Sequence, residues 1–551
     1  MFRKRSRTER FWEILPGLQF WVVFIFAIIL SFTQPVWAAL FIICFDFYWL
    51  LRAINGAIHL ISSYLRFKFM VKINWLDYAQ RLKNLPEFLK FLSAKQASSY
   101  SEQRYLNQEI KRLQNLLSRA REIWPLENYY HVVLLPFVHE SAEVLNSSIS
   151  ALANCHYPKD KIILLLAGEE RAGLAATETA KQVMEKYHNT FYKVFYTIHP
   201  DGLEGEIRGK SANATYSIKQ ILPELARLGI AEDKVLISNF DSDTIIHPEY
   251  FGRVMYEFLT SEKPYRSSFQ PIAIYNNNIW DSPALIRVIT ISSWQFTESS
   301  RPDRLKTFSS HTMTLKALKE VGFWKKDIVN EDEFIYWQCF LHYNGDYRVI
   351  PLFLPVSLDT CLAETTWQTF INQYKQKRRW AYNVEYYPHL IWPLIKSKTP
   401  LYWKIYKLYQ YIETNFTWAT ASIMIAVLGW LPLIVGGREF LQSVVAFNLP
   451  YVTQTLMRVA LVFLIFSVYV NLILLPPRPR KYGPWKTISM YLQWFLVPIS
   501  AVLFHSLPAI EAQTRLMLGK YLEFWVTPKA RKGENTALEM KEMQSSQISN
   551  Y

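Results

Sequence analysis

Two kinds of apolar pattern divide the chain. From Ile14 to Phe45 no residue is charged. That run is too long for one membrane crossing, which takes about 20 residues. It contains Pro35, so the pattern predicts two helices, near 15–33 and 36–60, with Pro35 in the turn between them. Between 128 and 390 the apolar runs are short: "HVVLLPF", "KIILLLA", "YKVFYTI", "KVLISNF" and "YRVIPLFL". Strand-length runs alternating with helical patterns predict an α/β domain with a mainly parallel sheet. Long charge-free runs return at Thr414–Gly437, Val459–Pro477 and Thr487–Ile510. Each is close to a span in length, and Pro498 and Pro508 are expected to break the last into a re-entrant or interfacial pair.

Residues 64–125 are polar, with Leu, Tyr and Phe at helical intervals ("RYLNQEIKRLQNLLSRAREIW"). They predict an amphipathic connector packed on the next domain. The expected organisation is a basic N-terminus and two transmembrane helices over 1–63, the connector over 64–125, and a catalytic domain over 126–390. C-terminal membrane or interfacial helices follow over 391–510, then a terminal segment over 511–551 whose end, "ENTALEMKEMQSSQISNY", reads as disordered.

Composition supports a mixed membrane and soluble chain. Half the residues are hydrophobic and only 19% are charged, below the quarter usual for soluble domains. The formal net charge of +15 raises nucleic acid as a partner. The cations, however, gather at predicted membrane edges, in "MFRKRSRTER", "RPRKYGPWK" and "KARKGE", instead of along one stripe. Membrane lipids are the expected partner, with no nucleic acid, and the positive-inside rule places the catalytic domain in the cytoplasm. Cys44, Cys155, Cys339 and Cys361 show no CxxC pairing, which argues against a zinc site or disulfide framework.

Three stretches carry candidate chemistry. "LISNFDSDTIIHPEY" runs a strand into Asp241-Ser242-Asp243. Residues two apart on a strand point the same way, so the two carboxylates are expected to hold Mg²⁺ or Mn²⁺, with His247 a weaker third candidate. An Asx turn or helix cap is the alternative. "VNEDEFIYWQC" opens a predicted helix with Glu331, Asp332 and Glu333, which suits either the helix dipole or a general base. "KQKRRWAYN" puts Gln376, Arg379 and Trp380 on one helical face. Arg can clamp a diphosphate and Trp can stack on a sugar. Lys375, Lys377 and Arg378 are expected to be cations at a membrane surface.

In combination these stretches resemble the membrane-integrated family 2 glycosyltransferases, the group that includes cellulose and hyaluronan synthases. "LLPFVHE" is similar to the family's first strand and nucleotide loop, ending at Glu140. "NFDSDT" is similar to its DxD, "VNEDE" to its ED, and "QKRRW" to its QxxRW. "FWVTPK" fits the FxVTxK gating loop through Phe524, Val526, Thr527 and Lys529. "EIRGKSANATY" resembles the segment that places Lys210 and Asn213 beside the donor nucleotide. Where relatives carry an Asp for the nucleobase this chain has "LLLAGEERAG", leaving Glu169 or Glu170 to serve. "FSSHTMTLKAL" falls in the acceptor region and makes Ser309 and His311 acceptor candidates.

The resemblance implies a GT-A (Rossmann-like) nucleotide-sugar transferase domain inserted between transmembrane helices. It implies Mg²⁺ or Mn²⁺ on Asp241 and Asp243, Asp332 as general base beside Glu331, and a nucleotide-sugar donor, expected to be a UDP-sugar. The implied activity is inverting, hexosyltransferase-type transfer to a growing polysaccharide in the plasma or inner membrane, with coupled export. The alternatives are single addition to a lipid acceptor and, in a different class, a non-enzymatic lipid-binding membrane protein.

Overall fold

The charge-free N-terminal run folds as two helices, Arg7–Thr33 and Pro35–Met70. Gln34 separates them, and Pro35 opens the second, where a missing N–H costs nothing. A computed structural model describes residues 5–118, 125–290 and 293–527. Lys529 and the expected disordered tail lie outside these described residues. Arg7–Thr33, Pro35–Met70, Val444–Ile473 and the helical stretch Pro484–Met517 are long and apolar enough to cross a membrane. Leu401–Ala426 with Leu428–Val435 adds a fifth if that bent pair counts as one span. The protein is an integral membrane protein.

The expected break at Pro498 and Pro508 is not where the chain bends. Both prolines stand in the first turn of a helical segment, Val497–Ala501 and Leu507–Met517, where no N–H is needed. A π turn over Val502–Ser506 takes up the mismatch between them. The sharp bend, 45°, falls instead at Val427, between Leu401–Ala426 and Leu428–Val435.

The chain forms two compact units. One contains the described residues through Ile61, those of Asn278–Thr297 and those from Thr360 to residue 527. The other contains Ser62–Asn277 and Glu298–Asp359 and holds the sheet. Its strands are β1 (Tyr130–Pro136), β2 (Ile162–Glu169), β3 (Lys193–His199), β4 (Val235–Asn239), β5 (Ile245–Ile246), β6 (Ser267–Tyr275), β7 (His311–Thr314) and β8 (Arg348–Leu358). Their order is β3-β2-β1-β4-β7-β6-β8-β5. The five apolar runs became β1, β2, β3, β4 and β8. β1 to β4 are parallel to one another, as is β6 to β8. β7 is antiparallel to both β4 and β6, and β5 is antiparallel to β8. The sheet is therefore mixed, and with its flanking helices it is a GT-A-like, Rossmann-type domain in a chain with membrane-length helices near both ends.

The connector packs on this domain as three helices, Trp75–Arg81, Leu85–Ala94 and Tyr100–Ser118. Their partner is the helix Tyr250–Thr260, buried throughout. Gly252 permits the approach, since a Cβ there would lie 2.6 Å from the Leu76 nitrogen. Around it runs a buried charge network. Glu257 accepts from Arg253 at 2.5 Å and Arg112 at 2.8 Å. Tyr256 donates to Glu109 at 2.6 Å, and the Arg253 guanidinium lies 3.8 Å from the Trp75 ring centre. Burial alone would raise the Glu257 carboxyl, but Arg112 and Arg253 outweigh it and hold it below the usual range.

Candidate active site

In open α/β sheets the carboxyl ends of the strands face the ligand. Four chemistry-bearing side chains meet there. Lys210 is the first residue of the helix Lys210–Arg227, and its Nζ lies 2.8 Å from Asp241 Oδ1, just beyond β4. The same ammonium lies 3.2 and 3.3 Å from the two oxygens of Asp332 and 3.9 Å from Glu331. Glu331 and Asp332 open the helix Glu331–His342, as the sequence predicted. Burial by itself would lower the Lys210 ammonium, but Asp241, Asp332 and Glu331 outweigh it and raise its pKa above the ordinary lysine value. Asn239 donates to Asp332 at 3.4 Å.

The two DxD carboxylates have different partners. β4 ends at Asn239 and residues 242–243 form a turn, so strand alternation no longer applies. Asp241 accepts from Lys210 and, at 2.6 Å, from Ser309. Asp243 is buried and accepts the Asp359 amide at 2.7 Å. His247 accepts the Glu249 amide at 3.2 Å, and no cluster of three or more His, Cys, Asp or Glu able to hold a metal occurs among the described residues. A Mg²⁺ site of the phosphate-bridging kind needs only one or two carboxylates, the substrate supplying the rest. Asp241, with 31% of its side chain exposed, fits that demand.

At the ends of β1 and β2 the candidates are held by their own loops. Glu140 accepts the amides of Val138 and His139 at 2.7 and 3.2 Å, and the Ser242 hydroxyl at 2.9 Å. It joins the β1 loop to the DxD turn. Glu169 is 2.6 Å from Arg171, and burial raises its carboxyl pKa despite that partner. Glu170 accepts the Asp201 amide at 2.9 Å. Asn213 is fully buried, donating to the Ala167 carbonyl at 2.8 Å and accepting from Ser217 at 3.1 Å. It fastens the Lys210 helix to β2.

In the other unit, Gln376, Arg379 and Trp380 lie on the helix Thr366–Ala381. The segment 521–527 runs against it. Gln376 donates to Thr527 Oγ1 at 3.3 Å, and the Arg379 guanidinium lies 4.7 Å from the Phe524 ring centre. The neighbouring cations each have a partner. Lys377 lies 4.4 Å from the Trp380 ring centre, Lys375 5.5 Å from that of Trp525, and Arg378 is ion-paired to Glu511 at 2.6 Å. The reason is helical spacing: Trp380, three residues on, covers Lys377, and burial lowers its ammonium to about 8.

The structure adds Ser309, Asn239 and His311 to the Lys210 neighbourhood. His311 faces Asn239 across the β4–β7 pair, and its Nδ1 lies 2.8 Å from the Phe308 carbonyl. Its Nε2 and the Asn239 Oδ1 are buried without a partner. Ser309 and His311 were accessible to sequence reading only as acceptor-region residues, and Asn239 gave no signal beyond its place before the DxD.

A Rossmann-type sheet with carboxylates gathered at its strand ends, in a chain with membrane-length helices, has the architecture of the GT-A-like class. The family model "Glycosyl transferase family group 2" matches residues 236–504, from β4 into the last membrane-length stretch. Over that span the chain is similar to the family 2 glycosyltransferases. No curated protein matches the chain. Among solved structures, the mannosyltransferase PcManGT from Pyrobaculum calidifontis, in complex with GDP-Man and Mn²⁺, is 11% identical with a TM-score of 0.38, covering 85% of this chain and 100% of that one. S. aureus TarS 1-349 in complex with UDP-GlcNAc is 11% identical with a TM-score of 0.35, covering 71% of this chain and 93% of that one.

Proposed function

We propose that the protein is an inverting, hexosyltransferase-type enzyme that moves sugar from a UDP-sugar to a growing polysaccharide and passes the product through its own helices. The observation that carries this reading is the convergence of Lys210, Asp241 and Asp332 at the strand ends. In it Asp332 takes the proton of the acceptor hydroxyl as that oxygen attacks the anomeric carbon, and one displacement inverts the centre. Glu331, buried behind it, supports the start of that helix. Lys210 neutralises the donor diphosphate, and Glu169 faces the nucleobase. Gln376, Arg379 and Trp380 orient diphosphate and acceptor, with Phe524, Val526, Thr527 and Lys529 as the closing loop. Mg²⁺ or Mn²⁺ would be held by Asp241 and Asp243 together with the donor phosphates, and when bound supplies a Lewis acid for the leaving group. The basic loops favour a cytoplasmic catalytic domain in the plasma or inner membrane.

A second reading, single addition to a membrane lipid, is favoured by the count of four or five candidate spans among the described residues, a small set from which to line a polymer channel. The test is turnover of a nucleotide-sugar panel by purified protein with Mg²⁺ or Mn²⁺, followed by product sizing. Long polymer supports the first reading and one added sugar the second. Absence of any turnover would sink both.

A further inference from the structure

One ammonium serves three carboxylates at the strand ends. Lys210 touches Asp241 and Asp332 and stands 3.9 Å from Glu331, with only 10% of its side chain exposed. A nucleoside diphosphate arriving there is an anion approaching a site already rich in carboxylate. The cation these carboxylates share is Lys210, placed at the first turn of an 18-residue helix, where the backbone dipole also favours an anion. The ammonium has three donors, and here they are spent on Asp241 and Asp332. It cannot take up a diphosphate without giving up one of them. Asp241 has a second donor in Ser309. Asp332 has only the long 3.4 Å bond from Asn239 among the contacts described above, so it is the partner more readily exchanged.

We propose that Lys210 is an exchange residue: the donor diphosphate draws it off Asp332, so that binding the donor and freeing the base for the acceptor hydroxyl are one event. This rests on the nucleotide-sugar reading above. It makes binding ordered, donor before acceptor, because an acceptor arriving first meets a carboxylate already engaged by lysine. Lys210 acts here through Asp332 and is a positioning residue for the base, as well as a ligand for the diphosphate.

The test measures affinity, with no turnover needed. UDP and GDP are titrated by calorimetry into the full-length detergent-solubilised protein at fixed saturating Mg²⁺. Asp332→Asn should tighten diphosphate binding by about fivefold or more, the low end of ordinary site-to-site coupling. In a Lys210→Met background the same substitution should change nothing, and Lys210→Arg should retain the coupling. Asp332→Ala serves as the second variant, and thermal unfolding confirms that each protein is folded. If the wild type binds a diphosphate but Asp332→Asn leaves affinity unchanged or weaker, the exchange is wrong while the donor reading stands. If neither nucleotide binds the wild type, both fall.

Discussion

Two clusters of charge lie in the sheet-bearing unit, and they differ in depth. Around Lys210, the carboxylates of Asp241 and Asp332 keep 31% and 24% of their side chains exposed. Around Arg253 and Arg112, those of Glu109 and Glu257 keep 6% each. Both clusters pair carboxylate with cation at hydrogen-bonding distance. Only the first can still receive an incoming group. The second spans three helices and an aromatic ring, and its charges serve to join the connector to the domain. Charge pairing alone does not mark a reactive site; pairing that remains reachable does.

The largest expected effect tests the reachable cluster. Asp332→Asn should lower transfer about 10²- to 10⁴-fold, the usual range for loss of a general base, without moving the unfolding midpoint. Full activity in that variant would remove Asp332 from the chemistry. Next comes the deep cluster. Glu257→Gln leaves the buried Arg253 and the half-buried Arg112 without their counter-charge and should cost about 3–5 kcal/mol in chemical denaturation, with activity per folded molecule unchanged. A loss of activity at full stability would reverse the comparison. Gly252→Ala should cost about 1–3 kcal/mol by forcing the Tyr250–Thr260 helix off the backbone at Leu76. An unchanged denaturation midpoint would mean the two helices are not in close contact.

The last effect is a slope with pH, the smallest when read per pH unit. Burial pushes His131 and His247 down to about 3, against about 6.5 in an unfolded chain. Between those values the unfolded chain binds protons that the folded unit does not. Stability therefore falls as pH drops from about 6.5 toward 3, by up to about 1.4 kcal/mol per pH unit for each residue. His131→Leu, packed between Tyr157 and Phe251, should flatten that slope when midpoints are compared across pH. A slope unchanged by the substitution would acquit His131.

Much of the sheet could be read from the chain because β1, β2 and β4 are buried on both faces and so appear as continuous apolar runs. β6 and β7 could not. β7 is "HTMT", four residues with one strongly apolar side chain, and is a strand because β4 and β6 flank it. β6 begins "SSFQP" and carries Pro271 at a register shift between Gln270 and Ile272, which reads as a strand breaker. At the site, each carboxylate was visible in its own motif. The meeting of Lys210 with Asp332, 122 residues apart, is a product of the fold. The DxD pair lies in a turn because the strand stops at Asn239, and a basic run says nothing about which ring covers Lys377.

The reversed direction of β7 has one more consequence. Asp241 lies where the chain leaves β4, whereas Ser309 lies where it approaches β7, and the 2.6 Å bond between them joins an exit to an entrance. The loop entering β7 can therefore lengthen, shorten or change composition while the exits of β1, β2 and β4 stay as they are. One rim of the site is free to diversify and the other is tied to the sheet, so the entrance side can change over generations while the exit side keeps its geometry.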